Sequence, residues 1–235
     1  MLVRPILDYG AQILGYNNKQ IKKLEQLQLR ALKRVLGLRI NTKNESVRLV
    51  SGVEPLHARF AFLKLKHLYR IQQKPKDSLV RTVFNEILGA GKIRPGFVTE
   101  CREQCEKFGV AFARVAPVVA EQPLPDFAAE LKADVYRTAF RWDLERVRDS
   151  NQACILASLF PPDTSYFSYL PLDIATRVLK RQDRCTRTAF LQNLCGTSFL
   201  ARGFKNVCPF CKNKFTNLQH YIFDCPNIGS KRTDF

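Results

Sequence analysis

The sequence predicts a mainly α protein, built of helical, bundle-like regions and ending in a small Cys/His knuckle. Three observations carry that expectation. Apolar residues recur at helical spacing up to about residue 200. Asn, Pro and Gly fall where such helices start and stop. Near the C-terminal end, three cysteines and a histidine stand close together. With 46% hydrophobic and 25% charged residues, the chain has the composition of a protein with a buried core rather than of a disordered one.

The first clear element is an amphipathic helix over Lys19 to Leu36, with Asn17 or Asn18 able to cap its start. Gly37 can end it in a left-handed conformation. At about 100° per residue, Lys19, Lys22, Lys23, Arg30, Lys33 and Arg34 fall within an arc of about 120°. Ile21, Leu24, Ala31, Leu32 and Val35 occupy the opposite side. A short helix over Asn44 to Val50 closes at Ser51-Gly52, and Pro55 suits the first position of the next one. That next helix runs from Leu56 to Gln73, with Leu56, Phe60, Leu63, Leu68 and Ile71 as its apolar stripe and Arg59, Lys64, Lys66 and Arg70 largely elsewhere. Lys74-Pro75-Lys76-Asp77 breaks the pattern. Ser78 to Leu88 is helical and stops at Gly89-Ala90-Gly91. Between Lys92 and Gln122 periodicity is weak, and Pro95 and Pro117 limit regular structure. Asp126 to Arg148 is a long helix with Phe127, Leu131, Val135, Phe140 and Leu144 at core spacing. Pro161-Pro162 marks a linker, and a final helix from Ile174 to Leu194 ends at Gly196.

The net charge is +17, unevenly placed. Residues 1–70 hold 14 Lys/Arg against 4 Asp/Glu, residues 71–170 hold 13 against 13, and residues 171–235 hold 11 against 4. Two basic ends therefore flank a neutral middle, which divides the chain into a basic helical segment (1–73), a neutral helical region (74–160) and a basic helix with the Cys/His knuckle (172–228). Clustered positive charge suits a polyphosphate partner, RNA or DNA, and implies salt-sensitive association. A membrane partner is not expected, because no apolar stretch of about 18–20 residues interrupts the polar pattern. The N-terminal residues also lack the pattern of a signal peptide, so an intracellular, nuclear protein is expected rather than a secreted one.

Eight cysteines without that signal argue for free thiols, not a disulfide framework. Cys101, Cys105, Cys154, Cys185 and Cys195 lie in helical, apolar contexts and read as small buried hydrophobes. Cys208, Cys211, His220 and Cys225 have the spacing C-x2-C-x8-H-x4-C, which supplies the four ligands of one tetrahedral zinc ion. Four protein ligands leave no open position, so the expected role is structural. The segment around them has few apolar residues, and bound zinc contributes about 10–16 kcal/mol to the folding of comparable peptides. A redox CxxC is the competing reading, disfavoured by the two further ligands.

No complete active site is legible. There is no Asp-Asp pair for a polymerase-type metal site and no phosphate-cradling glycine loop. His57 and His67 lack a Ser or Cys nucleophile arrangement. Pro125-Asp126 with Glu130-x-Lys132 imitates a nuclease signature, but the spacing is too short and falls on a helix.

Several segments resemble one family. Arg4-Pro5-Ile6-Leu7-Asp8-Tyr9-Gly10, then Leu27-Gln28-Leu29-Arg30-Ala31-Leu32-Lys33, then Leu36-Gly37-Leu38, are similar to the stretch just after the polymerase palm in non-LTR retrotransposon reverse transcriptases. Ser51-Gly52-Val53-Glu54-Pro55-Leu56 resembles the step that follows there, and Cys208, Cys211, His220 and Cys225-Pro226, preceded by the helix bearing Arg177 and Leu191, resemble the family's zinc knuckle. The likeness spans roughly residues 3–60 and 172–228 and leaves the neutral middle unmatched. It implies a thumb-like helical part and a knuckle from an RNA-directed DNA polymerase, with RNA template or target DNA, and the rest of that polymerase, as partners. Fingers, palm and catalytic aspartates do not occur in the chain, ten residues follow Cys225, and Leu14 stands near a position where the family commonly has tryptophan. The resemblance thus implies polymerase ancestry without a catalytic centre. Expected phosphate-binding residues are Lys19, Lys22, Lys23, Arg30, Lys33 and Arg34 on the first helix, Arg177, Lys180, Arg181 and Arg184 on the last, and Lys205, Lys212 and Lys214 around the knuckle. Two other readings compete with nucleic-acid binding. One is a zinc-stabilised helical protein-interaction module or an inert relic; the other is a polymerase acting with a separately encoded palm.

Overall fold

The computed structural model describes residues 8–89, 96–117 and 122–149, together with Leu156, Thr188, Leu191, Gln192, Cys195 and Cys211. The described residues are mostly helical and contain no strand. Their helices are α1 (Asn18–Leu36), α2 (Asn44–Ser51), α3 (Leu56–Gln72), α4 (Leu79–Gly89), α5 (Phe97–Phe108), α6 (Phe112–Val115) and α7 (Leu124–Arg148). None is long and apolar enough to cross a membrane. The chain forms two compact units, one from Met1–Gln28 and Glu54–Phe140, the other from Leu29–Val53 and Arg141–Phe235.

Local chemistry sets the helix limits. Asn17 Oδ1 accepts the amide of Gln20 while Gln20 Oε1 accepts the amide of Asn17, each at 2.9 Å, so a reciprocal capping box starts α1. Gly37 ends the helix at φ 68°, a conformation that costs any residue with a Cβ. Its amide donates to the Arg34 carbonyl, and the Leu38 amide donates to that of Lys33. Pro55 stands one place before the expected position. It precedes α3 in extended backbone, and its carbonyl accepts the amides of Ala58 and Arg59. Pro125 falls inside the first turn of α7, where a missing amide hydrogen costs nothing.

In the first unit α3 is the central element, packed against α4, α5 and α6. It buries Leu56, Phe60, Phe62, Leu65, Leu68 and Tyr69, an arc much wider than a single stripe. Tyr69 stacks on Phe127 with centroids 3.7 Å apart, and its hydroxyl donates to the Gln122 carbonyl at 2.6 Å. Phe127, Leu131, Val135 and Phe140 of α7 are all buried, as their spacing predicts. Arg59 and Lys64, expected away from the core side, are instead held inward. Arg59 grips Asp8 through Nε and Nη2, the latter at 2.9 Å, and Lys64 pairs with Glu100. Residues 97–108, where periodicity is weak but Cys101 and Cys105 read as buried helical positions, form a helix whose Val98, Cys101, Cys105 and Phe108 are buried.

In the second unit α2 buries Val47, Leu49 and Val50, and Leu144 and Val147 of α7 are buried as well. Arg48 on α2 forms a fork on Asp143, with Nε to Oδ2 at 2.7 Å and Nη2 to Oδ1 at 2.5 Å, both side chains almost fully enclosed. Leu156, Leu191 and Cys195 are buried, and Gln192 Nε2 donates to the Gly37 carbonyl at 2.9 Å. The C-terminal half of α1 packs on a different side from the one its sequence predicts. Leu29 and Lys33 are buried there, while Ala31 is exposed and Val35 is 82% exposed.

Candidate nucleic-acid interface

Lys19, Lys22, Lys23, Arg30 and Arg34 are all exposed on α1. At about 1.5 Å rise per residue, Lys19 to Arg34 covers about 22 Å of helix. Lys19, Lys23, Arg30 and Arg34 follow one another at spacings of four, seven and four residues, so they form a single row. Lys33 does not share it. Its ammonium turns inward to the Ile40 carbonyl at 2.9 Å and Asn44 Oδ1 at 3.0 Å. Burial lowers the Lys33 pKa from the usual lysine value, with Glu45 opposing that shift. Lys33 thus ties α1 to the loop before α2, which leaves five exposed cations on α1, the row of four with Lys22 beside it.

This row runs against helix stability in two ways. Lys19 occupies the first turn, which has no acidic residue and where the helix dipole disfavours a cation. Lys19 with Lys23, and Arg30 with Arg34, are like charges at i,i+4, a pairing that costs a few tenths of a kcal/mol, roughly, each.

The remaining expected site residues lie outside the described residues: Arg177, Lys180, Arg181 and Arg184, then Lys205, Lys212 and Lys214, and Cys208, His220 and Cys225 of the knuckle. Of the knuckle only Cys211 is described, in a turn and half-buried. Among the described residues no group of three or more His, Cys, Asp or Glu side chains is placed to hold a metal ion. The described cysteines read as core rather than ligands. Burial pushes the Cys101 thiol up to about 12, Cys105 up to about 11 and Cys195 up to about 12, so all three stay protonated near neutrality. Cys154 and Cys185 lie outside the described residues.

Two of the family-like segments meet at a polar hub in the first unit. Arg59 binds Asp8, from the first segment, and its Nη1 donates to the Tyr136 hydroxyl at 3.2 Å. The Tyr136 hydroxyl in turn donates to Glu54 Oε1, from the later segment, at 2.8 Å. Burial, then the Glu54 carboxylate, pushes the Tyr136 phenol well above its ordinary pKa, so it remains a hydrogen-bond donor throughout the physiological range. Asp8 and Glu54 therefore serve the fold, joining two distant stretches of chain through one arginine.

The first unit also holds a cavity of about 280 Å³ beside the start of α1, bounded by residues of α1, α3, α5 and the preceding loop. Sequence reasoning missed it, because one wall belongs to α5. The spacing of Val98, Cys101, Cys105 and Phe108 followed by Gly109 was the available signal. Elsewhere on that unit Leu79, Val80, Val83 and Ile87 leave an apolar face of α4 exposed. No family model, curated protein or solved structure matches the chain.

Proposed function

We propose that this chain binds RNA or DNA through phosphate contacts, as a thumb-like and zinc-knuckle part of a non-LTR retrotransposon reverse transcriptase, without a catalytic palm. The observation that carries the binding reading is the exposed row on α1. Five exposed cations on one helix, four of them in a single row, leave a concentrated positive surface open to a charged partner. The sequence spacing of Cys208, Cys211, His220 and Cys225 supports one structural zinc ion, and the motif order along the chain supports the family assignment. A nuclear location would follow from that partner.

The test is fluorescence anisotropy of a labelled structured RNA across a salt series, on protein whose zinc content has been measured. Sub-micromolar affinity at low salt, falling with a log–log slope equivalent to about five phosphate contacts, is expected. One zinc per chain is expected alongside. A flat or undetectable response from folded, zinc-loaded protein overturns the reading. Weak binding that does not grow with RNA length favours a second reading, a helical protein-interaction module, which the exposed Leu79, Val80, Val83 and Ile87 on α4 support.

A further inference from the structure

The cavity beside α1 has two chemically different sides. Leu14, Tyr16, Ile21 and Phe60 make an apolar wall, with the Tyr16 ring stacked on Phe60 at 5.3 Å between centroids. Asn17, Asn18 and Gln104 add amides to the lining, and Glu100 and Glu103 add two carboxylates, the first of them paired with Lys64. Its volume of about 280 Å³ lies just under the range of about 300–1,000 Å³ for drug-sized ligands, which favours one small planar group over an extended molecule.

Position narrows the occupant further. Asn18 and Ile21 belong to the same turns of α1 as Lys19, Lys22 and Lys23. Lys22 lies one turn beyond Asn18, about 5–6 Å away between Cβ atoms, so a lysine side chain reaches past the mouth of the cavity. Lys107 also lines the cavity. An apolar and aromatic wall, an amide and carboxylate rim, and flanking ammonium groups are the three needs of an unstacked base with its two adjoining phosphates.

Resting on the nucleic-acid reading above, we infer that this cavity receives a single unpaired base from a strand whose backbone passes Lys22, the α1 cation one turn from Asn18. The rim favours bases that carry an exocyclic amine. Asn and Gln amides match the N6/N7 edge of adenine, and a carboxylate accepts from an exocyclic amino group. The cavity would add a preference for bulged or splayed nucleotides to an interface that otherwise reads only phosphate.

Three labelled RNA hairpins of one sequence test this by anisotropy: fully paired, with one bulged adenosine, and with an abasic residue at the bulge. The abasic hairpin keeps the flexibility of the bulge and removes the base. The bulged adenosine is expected to bind about tenfold more tightly than either control, as one stacked base can contribute. Gln104→Ala and Glu103→Ala, at a half-buried and an exposed position of α5, are expected to erase that preference while leaving the fully paired hairpin bound and its salt slope intact. Equal affinity for all three hairpins with normal salt dependence overturns the cavity assignment and leaves the α1 interface standing. A preference that survives both substitutions also overturns it, by placing recognition elsewhere. Absence of salt-sensitive binding to any hairpin removes both proposals together.

Discussion

Helix α1 carries six Lys or Arg residues in 19, and α3 carries four in 17. In sequence both read as amphipathic helices with a basic face. In the structure they use those cations in opposite ways. Five of the six on α1 are exposed, and among the described residues they make no ion pair. On α3, Arg59 and Lys64 are drawn into pairs with Asp8 and Glu100, which lie 51 and 36 residues away. A cation's role here depends on whether the fold brings a carboxylate to it, and only exposed, unpaired charge remains available to a partner. The count of 38 Lys and Arg residues therefore overstates the cations available for binding, whereas the net charge of +17 already cancels such pairs.

The inward pattern reaches its extreme in the second unit, at Arg48. Both members of its pair with Asp143 are nearly inaccessible, so removing one leaves the other charge enclosed without its nearest counter-charge. Asp143→Ala is expected to cost about 3–5 kcal/mol, read from the urea midpoint at constant m-value. A loss below about 1 kcal/mol would mean that the interior cations are no more structural than surface pairs, and the contrast with α1 would collapse.

The outward pattern predicts the reverse. Replacing Lys19, Lys22 and Lys23 together with Ala is expected to move stability by no more than about 0.5 kcal/mol, with a slight gain from relief at the helix N-terminus. The same variant is expected to flatten the salt dependence of RNA binding by about 3 in log–log slope, uniformly across sequences. Should stability fall while binding holds, α1 belongs with α3, and its lysines serve the fold.

These opposite roles explain how much was legible beforehand. Boundaries depended on neighbours in sequence, so Asn17, Gly37, Gly52 and Pro55 located α1, α2 and α3 to within a residue or so. The core face of α7 was legible for the same reason, since Phe127, Leu131, Val135, Phe140 and Leu144 need only helical periodicity. The direction of Arg59 and Lys64 was not legible, because no local window contains Asp8 or Glu100. Lys33 sits inside the basic arc of α1, between Lys22 and Lys19, and it is the Ile40 carbonyl and Asn44, both outside the helix, that draw it inward. Helix α5 was hidden by its surroundings. Pro95 lies just before it and Pro117 shortly after, and four apolar residues spaced over Val98 to Phe108 are a thin signal among charged ones. The cavity was lost with α5. The Cys/His spacing predicts a knuckle, and of the residues expected in it all but Cys211 fall outside the described residues.

The third cation-related contrast is the smallest and concerns a group that α3 keeps uncharged. His67 is half-buried, edge-on to Phe97 with centroids 6.0 Å apart, and its Nδ1 is enclosed without a hydrogen-bond partner. Burial, then the nearby Arg70, lowers its pKa from the ordinary histidine value of 6.5. The unfolded chain therefore takes up a proton before the folded one does as pH falls. The contribution of neutral His67 to stability is complete above the unfolded value of 6.5 and is lost as pH drops through that value toward the folded one. His67→Gln, neutral at every pH, is expected to show a smaller drop in urea midpoint than the parent between about pH 7.5 and about pH 5.5. Identical acid-side losses in the two proteins would show that α3 tolerates a charge at this position, and that its interior accepts cations even where no carboxylate meets them.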